Sequence, residues 1–325
     1  MATNKWIQAG KGLLLASGLV SMSTLVIGNL FVDYALVPGN GGQDRDVDEE
    51  GSSTRFQSKI DQAQEAAFKE AQDWRADLQE LAPRVEIQSR SGLYLRGQVF
   101  KQVGKSHRWM IIVHGYQVDQ EASLALAHQF YLRGYNVLIY DQRAHGLSEG
   151  TYITMGQFEQ SDLLEWTRYV ISLDKRAKIV YHGTSMGGAT VLMASGKPLP
   201  KQVKAIISDC GYSKTWDIMA LELKKRFNLT AFPFLEMARL MARLRIGIDL
   251  KDIQPIREVR KSRLPILFVH TEPDSFVPVE MAKDLYLAKR HGPKEIYLIP
   301  EGQHAQAPYT PHYYERLESF IDKYI

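Results

Sequence analysis

The stretch that decides the fold is residues 179–196, IVYHGTSMGGATVLMASG. It starts with an apolar run typical of a strand and ends with one typical of a helix. Between them Ser185 is flanked by Gly183 and Gly187, in the pattern Gly-x-Ser-x-Gly. A sharp strand-to-helix turn lifts a serine hydroxyl above a sheet, and glycine removes side chains that would collide with the neighbouring strand and helix. The stretch predicts a nucleophilic Ser185; the alternative is a glycine-rich turn whose serine only caps the helix.

Strand patterns alternate with helix patterns on both sides of this turn. A hairpin turning at Ser91 and Gly92 comes first. Six further strands are predicted at residues 109–113, 137–140, 179–181, 203–207, 266–269 and 296–299. Short, continuously apolar strands joined by helices indicate an α/β fold with a mostly parallel sheet buried on both faces. Ligands of such sheets bind beyond the carboxyl ends of the strands, so the chemistry is sought there.

A serine nucleophile needs a base, and the base needs an orienting acid. In this architecture the chain order is serine, acid, histidine. His291 precedes its predicted strand, and His312 opens the last helix, so neither is placed for catalysis. His304 follows the last strand directly, in LIPEGQHAQAP. We therefore predict His304 as the base.

Two aspartates compete for the role of the acid. Asp274 follows the penultimate strand in LFVHTEPDSFVP and is placed to reach His304. Asp209 also ends a strand, but it can equally fix its own loop, SDCGYS, through local hydrogen bonds. We predict Asp274 and keep Asp209 as the alternative. His270 lies within a strand and fits a core histidine.

An oxyanion hole requires two backbone donors near the nucleophile. One is the N–H of Met186, the residue after the serine. The other is expected from the loop after an earlier strand, where His114 and Gly115 end the run IIVHGYQVD. The N–H of Tyr116 is the predicted second donor, and His114 itself is expected to be structural.

With these residues assembled, residues 85–325 resemble serine hydrolases of the α/β-hydrolase superfamily. The segment YDQRAHGLSEG, residues 140–150, resembles the Asp-x-Arg-x-x-Gly-x-Ser-x-Gly loop of that superfamily. More narrowly, the chain is similar to membrane-anchored bacterial hydrolases of the Bem46 and serine-aminopeptidase-like group. The resemblance implies cleavage of an ester or related acyl bond without a cofactor or metal. A peptidase or amidase with the same triad is an alternative, as is a non-catalytic binding protein on this fold.

An apolar run precedes the hydrolase segment. Residues 12–32 carry no charged side chain, and a membrane-spanning helix needs about 20 apolar residues. Lys5 and Lys11 precede the run, whereas the residues after it are mainly neutral or acidic, so the catalytic part is expected on the extracytoplasmic side of the cell membrane. Residues 1–37 are thus predicted to be a single-pass anchor. The alternative is secretion after cleavage of a signal peptide.

The remaining chain divides by composition. Residues 38–54 are glycine-rich and acidic and predict a flexible linker, residues 55–84 predict a helical extension, and residues 212–262 predict a helical cap over the site. Within the cap, one apolar helix face is predicted to carry Phe234, Leu235, Ala238, Met241 and Leu244. From residue 224 to residue 263 eleven lysines or arginines face four acidic residues. This charge favours lipid-like or anionic acyl substrates, or it is simply a solvated helix face.

The composition also excludes several classes of protein. The net charge is only +3 and no Arg-rich run is present, so nucleic acid is not an expected partner. The single cysteine, Cys210, excludes an internal disulfide and a cysteine-built zinc site. The expected partner is a small-molecule acyl substrate, and the sequence leaves the oligomeric state open.

Overall fold

A central sheet organises the computed structural model, which describes residues 25–39, 54–78 (side chains from residue 59) and 82–325. Its strands are β1 (Arg84–Gln88), β2 (Tyr94–Phe100), β3 (Arg108–Val113), β4 (Asn136–Tyr140), β5 (Lys178–Thr184), β6 (Val203–Asp209), β7 (Ile266–Thr271) and β8 (Lys294–Ile299). They lie in the order β1-β2-β4-β3-β5-β6-β7-β8. The pairs β1-β2 and β2-β4 are antiparallel, and every other pair is parallel. The predicted mostly parallel sheet is confirmed.

Helices cover both faces of this sheet. They are α1 (residues 25–36), α2 (Thr54–Leu78), α3 (Leu124–Leu132), α4 (Glu159–Leu173), α5 (Met186–Ser195), α6 (Thr215–Phe227), α7 (Ala231–Arg245), α8 (Pro255–Val259), α9 (Val279–Ala288) and α10 (Tyr313–Ile321). Short 3-10 turns occur at Gln120–Ser123 and Ala307–Tyr309. The parallel strands are therefore joined mainly by helices, as the alternation of patterns predicted.

The strands are continuously apolar because each contributes to two cores. In β3, Met110 and Ile112 belong to one buried cluster, whereas Trp109 and Ile111 belong to another. Successive side chains of a strand point to opposite faces, so both faces of the sheet are covered. A strand in this position carries no polar face, which is why the strand signal in the sequence is a run rather than an alternation.

Helix α2 begins one residue before the predicted helical extension and packs on the sheet domain. Its Trp74 stacks on Phe100, with ring centroids 4.7 Å apart, and lies 5.2 Å from the ring of Tyr131. At its other end Asp61 accepts a hydrogen bond of 2.9 Å from Gln306. Residue 306 lies in the loop after β8, so α2 contacts the loop that carries the predicted catalytic base.

Helices α6 to α8 are inserted between β6 and β7, where the sequence predicts the cap. In α7, Leu235, Ala238 and Met241 are buried as predicted, but Leu244, predicted on the same face, is 67% exposed. Successive residues of an α-helix are rotated by about 100° around its axis. Leu244 comes nine residues after Leu235 and therefore lies on the opposite side of α7. Ala242 is fully buried instead.

The predicted membrane anchor lies largely outside the described residues, which begin at residue 25. Residues 25–36 form α1, and two of its apolar side chains, Val32 and Leu36, are each only 1% exposed. Gly28 touches the cap so closely that a Cβ there would lie 2.6 Å from the carbonyl oxygen of Met237. Of the helices in the described ranges, none is both long and apolar enough to span a bilayer. Val32 and Leu36, near the end of the predicted anchor, are thus buried against protein.

Candidate active site

Ser185 sits at the turn between β5 and α5 in a strained backbone conformation. Its φ is 56° and its ψ is −118°, a region that non-glycine residues rarely adopt. A Cβ at Gly183 would lie 2.2 Å from the carbonyl oxygen of Gly187, and one at Gly187 would lie 2.0 Å from that of Val113. Neither distance is sterically possible, so this turn requires glycine at both positions.

The structure brings the three predicted catalytic side chains together. The Oγ of Ser185 lies 2.8 Å from Nε2 of His304, and Nδ1 of His304 lies 2.7 Å from Oδ2 of Asp274. With the ring proton on Nδ1 donated to the carboxylate, Nε2 accepts the hydroxyl proton of the serine. These residues follow β5, β7 and β8, so they meet at the carboxyl edge of the sheet.

Asp274 is held as a carboxylate by its surroundings. Its Oδ1 accepts the backbone N–H groups of Phe276 and Val277 at 2.9 and 2.8 Å. Burial alone would raise the pKa of Asp274, but the charge of His304 and hydrogen bonds from His270 and His304 outweigh burial and hold it well below its usual value. The ionised group is suited to stabilise an imidazolium at residue 304.

Asp209, the alternative acid, is engaged elsewhere. Its Oδ2 accepts a hydrogen bond from the Tyr313 hydroxyl at 2.8 Å, and its carbonyl oxygen accepts the Ser185 N–H at 2.8 Å. The Tyr313 oxygen in turn lies 2.7 Å from Nε2 of His182. Burial raises the pKa of Asp209 to about 6. These contacts support the sharp turn at residues 183–187 (the elbow). The two ring nitrogens of His304, by contrast, form hydrogen bonds with Ser185 and Asp274, respectively.

The loop after β3 lies beside the serine, where the second oxyanion donor is predicted. A Cβ at Gly115 would lie 3.4 Å from the Cβ of Ser185. Met186 begins α5, and the first N–H groups of a helix have no intrahelical acceptor. His114 donates from Nδ1 to the Gly115 carbonyl at 2.8 Å and accepts the Gln142 N–H at 2.9 Å. Its role is thus structural, and the donors Tyr116 and Met186 stay predictions.

Residues 140–150, which carry the superfamily-like motif, support this loop from behind. Asp141 accepts the backbone N–H groups of Gln120 and Leu147, both at 2.8 Å. Nε2 of His145 accepts the N–H of Gln117 at 3.2 Å. The motif therefore holds the backbone of the loop that carries residue 116.

Comparison with known proteins agrees with this geometry. Residues 104–246 match the family described as serine aminopeptidase, S33 (Hydrolase_4). The chain is 34% identical over 221 residues to the uncharacterized protein YqkD of Bacillus subtilis (strain 168), and this match covers 66% of the chain and 70% of YqkD. The chain belongs to the α/β-hydrolase family.

Solved α/β hydrolases share the fold at lower identity. The esterase Pf2001 of Pyrococcus furiosus gives a TM-score of 0.62 at 21% identity, over 76% of this chain and 94% of that chain. The acylaminoacyl peptidase of Pyrococcus horikoshii gives a TM-score of 0.56 at 18% identity, over 74% of this chain and 41% of that chain. At these identities the likeness shows the fold alone.

A cavity of about 530 Å³ opens onto Ser185 in this α/β hydrolase. Its walls come from the catalytic loops, the cap helices α6 and α7, and the N-terminal helix α1. The apolar lining residues include Phe31, Val32, Ala35, Leu36, Met155, Tyr212, Ile218, Met219, Leu223, Phe227, Leu235, Phe276 and Tyr309. The lining is mainly apolar, and the volume lies within the range of about 300–1,000 Å³ that is usual for small-molecule sites.

Sequence reasoning missed the part that His270 plays. It is buried, as predicted for a core histidine, but its Nε2 lies 2.8 Å from the carbonyl oxygen of Val277 and 3.3 Å from Oδ2 of Asp274. Burial lowers the pKa of His270, yet the hydrogen bond and charge of Asp274 raise it above its usual value. The only signal in the sequence was the position of His270 in the strand that leads to Asp274.

One group of side chains in the described part of the chain has the spacing of a metal site. The ligand atoms of Cys210, Asp274 and His304 lie within 4.8 Å of one another. Burial raises the pKa of the Cys210 thiol well above its usual value, so the thiolate that a metal requires is disfavoured. Since Asp274 and His304 already hydrogen-bond each other, this donor set fits a catalytic triad better than a metal.

Proposed function

We propose that this α/β hydrolase cleaves carboxylic esters, or related acyl bonds, through an acyl-enzyme on Ser185. The observation that carries the proposal is the pair of hydrogen bonds that His304 makes: Nε2 accepts the Ser185 hydroxyl at 2.8 Å, and Nδ1 donates to Asp274 Oδ2 at 2.7 Å. A serine in this position has a base within reach, and the base has an orienting carboxylate.

The steps follow from the positions of these groups. His304 takes the Ser185 proton as the oxygen attacks the acyl carbonyl, and Asp274 stabilises the imidazolium. The backbone N–H groups of Tyr116 and Met186 bind the oxyanion. The imidazolium then protonates the leaving alcohol, which departs and leaves the acyl-enzyme. Water attacks that ester while His304 removes its proton, and the acid is released with the serine restored.

Peptide or amide cleavage is the second candidate, and the match to the serine aminopeptidase family favours it. An aminopeptidase binds the free α-amino group of its substrate, for which a carboxylate is the natural partner. Among the described residues that line the cavity, Glu222 is the acidic one outside the triad. Its carboxylate already pairs with Arg226 at 2.8 Å. This pairing supports an ester rather than a peptide substrate.

A binding protein on the same fold is the third candidate. Strain such as that at Ser185 costs on the order of 1–3 kcal/mol and persists where function uses it. A binding protein has no use for a strained serine with a base and an orienting carboxylate beside it. The elbow and the hydrogen-bonded triad together support catalysis.

The test is a substrate panel with a matched control. Purified protein is assayed with aryl esters of increasing acyl length and with aminoacyl anilides, alongside Ser185→Ala and Ser172→Ala. Ser172 is an exposed serine of α4. We expect turnover of esters by the wild type and Ser172→Ala, and a loss of several orders of magnitude in Ser185→Ala. Faster cleavage of anilides than esters would select the peptidase, and full activity of Ser185→Ala would refute the mechanism.

We also propose that the enzyme is held at the cell membrane with its catalytic part on the extracytoplasmic side, the alternative being secretion after signal cleavage. The lysines Lys5 and Lys11 and the uncharged residues 12–24 that follow them, ahead of α1, support this location. The charge of the cap supports a lipid-like substrate less well, since Arg239 and Arg243 both pair with Asp249, at 2.6 and 3.6 Å. Retention of the full chain in carbonate-washed membranes, and its release after deletion of residues 1–24, is the expected result.

A further inference from the structure

Helix α1 contributes a wall to the cavity that contains Ser185. Phe31, Val32 and Ala35 line it, as does Leu36 at the end of the helix. Residues 32 and 36 are one helical turn apart and so share a face. That face joins the buried cluster that includes Met186, the residue next to the nucleophile. An element outside the matched hydrolase segment thus lines the cavity that opens onto Ser185.

Hydrogen bonds fix the C-terminal end of α1 to the sheet domain. The last carbonyl groups of a helix have no intrahelical donor. Here the Ala35 carbonyl accepts the Tyr116 hydroxyl at 2.8 Å, and the Leu36 carbonyl accepts the Ile153 N–H at 2.8 Å. These hydrogen bonds fix the position of the C-terminal end of α1 relative to the active site.

Helix α1 also packs on the cap. The ring of Phe31 makes edge contacts with Phe227 and Phe234, at centroid distances of 5.9 and 6.3 Å. Asp33 pairs with Arg245 at 2.7 Å. Helix α1 is therefore held between the cap and the catalytic loops.

The chemistry of the cavity defines what it can hold. At about 530 Å³ it is far larger than a two-carbon acyl group needs. Most of its lining near α1 is aliphatic and aromatic, although Arg226 also lines it and contacts Tyr34 of this helix. Each methylene buried there favours binding by about fourfold. The cavity therefore suits a substrate with an extended apolar chain.

We propose that α1 is part of the acyl-binding site and that the substrate carries a medium or long hydrocarbon chain seated against α1. The inference rests on the proposed function and adds its substrate class and a specificity-determining element. Ala35 lines the cavity with a small side chain, so a larger side chain at this position is expected to shorten the space for the acyl chain.

The test enlarges residue 35 and compares chain lengths. The ratio of kcat/KM for decanoyl to acetyl aryl esters is measured for the wild type and for Ala35→Trp. Leu30→Trp, at a 63% exposed position of the same helix, is the control. We expect at least about a tenfold fall of the ratio in Ala35→Trp, since excluding two methylenes has that effect, and no change in Leu30→Trp. An unchanged ratio in Ala35→Trp overturns the proposal; if that variant does not fold, Ala35→Leu decides in the same way.

A binding experiment distinguishes this inference from the proposed function. Titration with a fluorescent fatty acid is performed on Ser185→Ala, with and without Ala35→Trp. Tight binding that Ala35→Trp weakens supports the pocket even if the wild type cleaves no ester, in which case only the proposed function fails. Absence of fatty acid binding together with a preference for acetyl esters overturns the inference and leaves the hydrolase mechanism standing.

Discussion

The hydroxyl of Tyr116 donates a hydrogen bond to the carbonyl oxygen of Ala35, over 2.8 Å. Residue 116 is also the one whose backbone N–H is predicted to bind the oxyanion. The same residue thus connects the N-terminal helix to the catalytic loop, 81 residues along the chain. Helix α1 and the geometry of the oxyanion loop are expected to depend on each other.

Replacing Tyr116 with Phe tests this connection. The change removes the hydroxyl and keeps the backbone N–H. The hydroxyl also accepts a hydrogen bond of 3.0 Å from the Gln117 side chain. The loss of both bonds costs about 1–3 kcal/mol, which for a domain of this size lowers Tm by at least about 2 °C. Thermal unfolding measures the effect. Tyr94→Phe, at a side chain that is 45% exposed, is the control, and equal Tm values for the two variants would contradict the connection.

The identity of the catalytic acid can be decided by two substitutions. Asp274→Asn replaces the partner of His304 and favours the wrong ring tautomer, so we expect kcat to fall by about 10³–10⁴-fold. Asp209→Asn keeps an acceptor for the Tyr313 hydroxyl, and we expect a fall of less than about tenfold. Steady-state kinetics on an activated ester measures both. A larger loss in Asp209→Asn than in Asp274→Asn would show that the alternative acid is the true one.

Asp209 also predicts a pH dependence of stability. Burial raises its pKa from 3.8 to about 6. Between these values the folded chain binds more protons than the unfolded chain, so this group makes folding less favourable as the pH rises through that window. Relative to Asp209→Asn, the wild type should lose roughly 2 kcal/mol of unfolding free energy between pH 4 and pH 7. Urea unfolding at both pH values measures the difference, which would stay constant if the pKa were not raised.

The glycines of the elbow predict a strong steric effect. In Gly187→Ala the new Cβ would meet the Val113 carbonyl oxygen at 2.0 Å, so β3 or α5 must shift. We expect a loss of at least about 3 kcal/mol of stability, as for overpacking of a core. Gly104→Ala is the matched control, because a Cβ there meets no atom within 4 Å. Chemical denaturation of both variants gives the comparison, and equal stabilities would contradict the account of the turn.

Much of the fold was predictable because its signals are local. The buried strands are apolar runs, and the elbow glycines are required by contacts within the turn and with the next strand. Ser185, Asp274 and His304 each follow a strand directly. In a parallel sheet, that position alone places them at one edge.

What the sequence did not predict depends on packing between distant segments. The end of the uncharged run, around Val32, has a composition that suits a lipid bilayer and a protein interior equally well. Only its contacts with the cap show that this end lies in a protein interior. His270 looked like any buried strand histidine, because its closeness to Asp274 depends on how the loop after β7 folds back. The prediction for Leu244 was wrong for a simpler reason. At about 100° per residue, this position lies on the exposed side of the helix.

The most direct test of the central claim is covalent labelling of the nucleophile. The intact protein is treated with a fluorophosphonate, and the modified residue is identified by mass spectrometry, in the wild type and in His304→Gln. We expect a single adduct on Ser185 and labelling at least about a hundredfold slower without the histidine, because general-base activation contributes about 10²–10⁴-fold. Labelling at another residue, or an unchanged rate in His304→Gln, would contradict the claim that His304 activates Ser185.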